Sequence, residues 1–72
     1  MDSILQELMQ KAQKGDADSQ YELGNLYQNG EGVEMDIEKA IEWWQKAAKN
    51  GHKKASELIK KLDIVLKLID PQ

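Results

Sequence analysis

Laid over itself with a shift of 36 residues, the chain brings its apolar pattern into register. Gly15 then meets Gly51, and Ala12 meets Ala48. Ile4, Leu5 and Leu8 meet Ala40, Ile41 and Trp44. Ser19, Leu23 and Leu26 meet Ala55, Ile59 and Leu62. Few identities repeat, yet the order of small, large and glycine positions does. A period between about 20 and 50 residues marks a helical solenoid, whose units cannot bury their own apolar faces and must stack. The 72 residues hold two such units, fewer than the three or more that a stack usually needs.

Each unit resolves into helices separated by glycine punctuation. The first helix is expected over about 3–14, where Ile4, Leu5, Leu8, Met9 and Ala12 fall at helical spacing. Ser3 with Gln6 forms a capping box, and Gly15 is the C-cap. The second is expected over 17–29, with Asp16 as N-cap and Asp18 at the positive end of the helix dipole. Gly24 lies inside it, where it costs about 1 kcal/mol relative to alanine. Close approach of a neighbouring helix would explain its presence. Asn29 to Gly32 then turn the chain, and Val33 packs back under the turn. The third helix is expected over 37–49, with Asp36 as N-cap and Ile37, Ala40, Ile41, Trp44, Ala47 and Ala48 as its apolar face. The fourth is expected over 53–69 and cannot continue past Pro71. No segment alternates with period two. The fold class is therefore all-α: four antiparallel helices in one domain, 1–72, forming a short α–α solenoid.

Composition narrows the function. A domain this short buries a limited share of its surface, and its stability margin is thin. There are no cysteines and one histidine, so disulfides, thiolate metal sites and His-rich metal sites are ruled out. Neither cofactor nor metal is expected. The net charge is −3 with both signs interspersed along the chain, and all ten cations are lysine. This is not the basic footprint of a nucleic-acid binder. No apolar run approaches the ~20 residues that cross a bilayer, and Met1-Asp2-Ser3 lacks the start of a signal peptide. A soluble, cytoplasmic protein is expected. Arginine, threonine and phenylalanine are absent, a bias that fits an AT-rich genome and a designed sequence equally.

One stretch carries a family resemblance. It reads Lys14-Gly15-Asp16-Ala17, then Leu23-Gly24 with Tyr27, then Gly30, Gly32-Val33 and Asp36. It continues with Lys39-Ala40, Trp43-Trp44, Lys46-Ala47-Ala48 and Gly51. These motifs resemble, in order and spacing, the Sel1-like repeat family, relatives of the tetratricopeptide repeats. The resemblance covers 14–51. It implies two antiparallel helices per repeat, a right-handed superhelix, and a scaffold for other proteins without catalytic residues or cofactors. Ser19 and Trp44 depart from the alanine and tyrosine usual there. The first helix looks like a degenerate second helix of a preceding repeat. The fourth looks like a degenerate first helix of a following one, with Lys60 in place of the packing glycine. The chain thus reads as one full repeat flanked by two cap-like helices.

Candidate binding residues follow from what the core does not use. At ~100° per residue Trp44 points into the apolar face and Trp43 lies on its flank. Trp43 is then either an interface anchor or cover for the next helix. Tyr21, Asn25 and Gln28 project from the second helix on the side away from Leu23. The resemblance makes that side the concave surface, while their bland reading is a solvated polar face. In the fourth helix Ala55, Leu58, Ile59, Leu62, Leu66 and Ile69 form one stripe expected to cap the bundle. Ile64 and Leu68 fall nearly opposite, with Val65 at the edge. They widen the stripe beyond what one neighbour covers, and such patches mark interaction sites.

The remaining features favour bland readings. His52, beside Gly51 at a helix start, reads as structural or solvated. Gly30 and Gly32 follow a helix rather than a strand, so they read as a turn and not a dinucleotide site. Asp16 and Asp18 lack the glycine and closing glutamate of a calcium loop. With no nucleophile–base pair or phosphate loop, an enzyme is not expected. Two readings stand: a protein-binding module using Tyr21, Asn25, Gln28 and Trp43, or a natural or designed unit that self-associates through Ile64, Val65 and Leu68.

Overall fold

The computed structural model describes residues 3–69, with the side chains of 4–69. The box expected of Ser3 and Gln6 needs the Ser3 side chain and lies outside the described residues. Four helices follow one another: α1 (Ser3–Gln13), α2 (Ala17–Asn29), α3 (Ile37–Lys49) and α4 (Lys53–Ile69). Among the described residues there is no strand. Each helix packs on the next, α2 on α3 most extensively, as in a short helical solenoid. The body is a slab of 44 × 25 × 15 Å, so much of every helix stays near solvent. No described helix is long and apolar enough to cross a membrane.

Local chemistry sets the boundaries. The Asp16 carboxylate accepts from the Ser19 N–H at 3.0 Å, and the Asp36 carboxylate from the Lys39 N–H at 3.1 Å. Both satisfy helix donors that have no partner within the helix. α1 and α3 end alike. The Gly15 and Gly51 N–H groups donate to Ala12 O and Ala48 O, both at 3.1 Å. The next N–H groups, of Asp16 and His52, donate to Lys11 O and Ala47 O at 3.0 and 2.9 Å. This is the Schellman closure, and it requires the left-handed backbone that Gly15 (φ 103°) and Gly51 (φ 94°) adopt. α1 therefore ends at Gln13, with Lys14 already in the turn, one residue short of the expected bound.

The core is small and rich in alanine. Ala12, Leu23, Ala40, Trp44, Ala47 and Ala55 are buried, and Leu23 is the largest side chain with no exposure. Alanines let helix axes approach, and Trp44 fills the space that remains. Its indole lies against Gly24: a Cβ there would fall into the ring and stand 3.0 Å from Ala40 O. Gly24 is thus the close-approach residue its position suggested. Val33, in the α2–α3 turn, is half-buried.

α4 departs from expectation at its far end. Ala55 is buried and Leu58, Ile59 and Leu62 are half-buried, but Leu66 and Ile69 are 60% and 74% exposed. They do not cap the bundle. α3, with 13 residues, is ~20 Å long, and α4, with 17 residues, is ~26 Å. Running back along α3, α4 overshoots its start by about one turn, so no neighbour reaches the last residues.

Candidate protein-interaction surfaces

The side chains expected on the α2 face have different environments. The Tyr21 ring stacks on His52, centroids 4.3 Å apart and planes 18° from parallel. Asn25 Oδ1 accepts from Trp44 Nε1 at 3.2 Å, which satisfies the one polar atom of the buried indole. Gln28 is exposed. Trp43 is half-buried and lies under the Lys46 ammonium, 4.5 Å from the ring centroid. The structure thus engages Tyr21 and Asn25 within the fold and leaves Gln28 and part of Trp43 toward solvent.

His52 is structural. Its Nδ1 accepts from the Ala55 N–H at 3.1 Å, so the imidazole caps α4. Nε2 lies 3.3 Å from Asp18 Oδ1. One side chain therefore caps α4, stacks on α2 through Tyr21 and reaches an α2 carboxylate. Asp16 is engaged as well: the Ser19 hydroxyl and N–H both donate to it. These bonds, the hydroxyl first, hold its carboxyl below the usual aspartate range. Ser19 stands where the resembled family has alanine, and this bond is what its hydroxyl contributes.

A polar clamp was not anticipated from sequence. Gln20 is 3% exposed. Its Nε2 donates to Ala12 O at 2.8 Å, and its Oε1 accepts from Asn50 Nδ2 at 2.9 Å. Gln20 thus ties the ends of α1 and α3 to the start of α2. Its signal was faint: a glutamine beside Ser19 in the repeat-matched stripe, near two helix ends with equivalent glycines.

The C-terminal part of α4 carries the apolar surface. Ile64 is 58% exposed, Val65 47% and Leu68 77%. On the side toward α3, Ile41, Ile59, Leu62, Val65 and Leu66 line an apolar groove of about 300 Å³, with Lys60 and Asp63 at its rim. Among the described residues no group of three His, Cys, Asp or Glu side chains is placed to hold a metal ion.

Stacked helix pairs with small residues at the crossings and an uncovered final helix define an α–α repeat protein. The match to known families is specific. The family model of the Sel1 repeat covers residues 17–52, which is α2, its turn, α3 and the closing Schellman glycine. The chain belongs to the Sel1 repeat family, whose repeats are helical protein-interaction modules. Neither curated proteins nor solved structures gave a match.

Proposed function

We propose that this chain acts by binding protein, without catalysis. The observation that carries the reading is the cluster on α4, where Ile64, Val65, Leu66, Leu68 and Ile69 are 47–77% exposed on a helix whose first half is packed. A monomer gains nothing from ordering five large apolar side chains in water, whereas a covered patch gains roughly 25 cal/mol per Å². A second surface is supported by the exposed Gln28 and half-buried Trp43, since tryptophan is enriched among residues that dominate interfaces. Tyr21 and Asn25 contribute to that surface by fixing its backbone.

The test is capture of a partner on the immobilised chain, repeated with Gln28→Ala plus Trp43→Ala and with Ile64→Glu plus Leu68→Glu. Loss of capture with helicity unchanged assigns the surface. Capture that survives both pairs would sink the reading. Self-association through Ile64, Val65 and Leu68 is the second reading, favoured by the same exposure. It predicts that Ile64→Glu plus Leu68→Glu gives a folded monomer.

A further inference from the structure

The register of 36 residues can now be read in terms of burial. Ala40, Trp44 and Ala47 are the α3 side chains buried against the rest of the repeat, at 0%, 3% and 0% exposure. Their equivalents in α1 are Ile4, Leu8 and Lys11. Ile4 is 82% exposed, Leu8 is half-buried and Lys11 is exposed. α1 therefore carries a face of the α3 type with no α2-type helix on it. The converse holds at α4. Gly24 and Leu23, which receive Trp44 and the core of α3, correspond to Lys60, which is exposed, and Ile59, which is only half-buried. α4 is an α2-type helix with no α3-type helix on it.

The two halves of the chain are also opposite in charge. Residues 1–38 hold nine carboxylates and two lysines, whereas 39–72 hold four carboxylates and eight lysines. Signs that look interspersed along the chain are thus separated between its halves. Glu7, Asp16, Asp18 and Glu22, against the single lysine Lys11, surround Ile4 and Leu8 in one depression between α1 and α2. Lys60, Lys61 and Lys67 flank the apolar turns of α4, all three exposed, with Lys67 paired to Asp63 at 3.4 Å, which leaves the turns net basic.

We propose that the occupant of the α4 face is α1 of a second copy of this chain, the two helices pairing head to tail as the halves of one repeat. The acidic depression of one copy receives the lysine-flanked apolar turns of the next. Lys60 then stands where Gly24 stands inside the repeat, and Leu8 replaces Trp44. The crossing is therefore looser than the internal one, with Glu7 and Glu22 within reach of the lysines. Such a contact is heterologous. It does not close on itself by necessity, so each added copy presents a fresh face. The proposal rests on the chain being a protein-interaction module and names the partner.

The experiment is light scattering behind size exclusion over a concentration series, on the full chain. The expected mass climbs from the 8.2 kDa chain through two copies to higher multiples, without a plateau at two. Ile4→Glu and Leu66→Glu each block one face at an exposed position, and each alone should remain a single chain with unchanged helicity. Mixed in equal amounts, they leave one compatible pair of faces and should give two copies and nothing larger. Glu7→Lys with Glu22→Lys, both exposed, tests the acidic face by charge alone and should weaken association at least tenfold at low salt. A wild type that stays a single chain at every concentration would overturn the proposal, while leaving capture of another protein open to the pull-down. So would an Ile4→Glu chain that associates like wild type, or a mixture that never pairs. The first of these would point to α4 pairing with its own copy.

Discussion

At the scale of single residues, position decides whether an intrinsic propensity counts. Gly24 is unfavourable in a helix by about 1 kcal/mol, yet Gly24→Ala is expected to destabilise. The added Cβ meets the Trp44 indole and the Ala40 carbonyl, and overpacking of this kind costs about 1–3 kcal/mol. Thermal unfolding followed at 222 nm should show a lower midpoint. A higher one would mean that the indole swings away at no cost. Asp16 supplies a pH signature. Its folded pKa is lowered by the Ser19 hydroxyl and N–H, so the carboxylate's contribution is fully present above the ordinary aspartate range. It is lost as pH falls through the folded value. Wild type should lose more thermal stability between pH 5 and pH 2 than Asp16→Asn, which lacks the titrating group. Equal losses would show that the cap contributes no pH dependence. Gln20→Ala removes the bonds to Ala12 O and the Asn50 amide, but Ala12 O keeps the Gly15 N–H and Asn50 is exposed, so each lost bond should cost about 0.5–1.5 kcal/mol, read from denaturant midpoints.

At the scale of helices, the ends were legible and the far end of α4 was not. The aspartates that cap α2 and α3 and the glycines of the Schellman turns after α1 and α3 are signals held within a few residues, so Asp16, Asp36, Gly15 and Gly51 announced those four boundaries. The register at 36 announced the stacking. Burial of Leu66 and Ile69 instead depends on the length of a different helix: α3 starts at Ile37, and no feature of α4 reports that. The Gln20 clamp was hidden for a similar reason. Its partners lie 8 and 30 residues away, outside any helical period, and a stripe drawn from apolar residues passes it over. Tyr21 and Asn25, assigned to an open face from their angle on α2, are engaged by His52 and Trp44, because α2 has neighbours on more than one side. His52 matters most as a joint. His52→Ala removes the cap of α4 and its stack on α2, and a lost cap costs about 1 kcal/mol. Hydrogen exchange should speed up first in the opening turn of α4, at Lys54 and Ala55, with α2 little changed. Equal acceleration in both helices would show that α4 does not open separately.

At the scale of the whole molecule, the fold is one complete Sel1 repeat with an open half on either side. The α2–α3 pair holds Leu23, Ala40, Trp44 and Ala47 almost without exposure, whereas the outermost helices carry Ile4 and five large apolar side chains of α4 in solvent. A small domain has little surplus stability to hold such faces open, and burying them against a matching face stabilises both partners. The same logic explains why interspersed charge concealed an electrical polarity, since carboxylates gather in the depression between α1 and α2 while lysines gather on α4. If the open halves are interfaces, protection from exchange must depend on concentration there and nowhere else. The most direct measurement is amide hydrogen exchange by mass spectrometry at low and high protein concentration. The account predicts that α2 and α3 exchange at the same slow rate in both, while α1 and the α4 segment from Ile64 to Ile69 gain protection together as concentration rises. Exchange in α1 and α4 that does not respond to concentration, or a gain confined to α4, would contradict it.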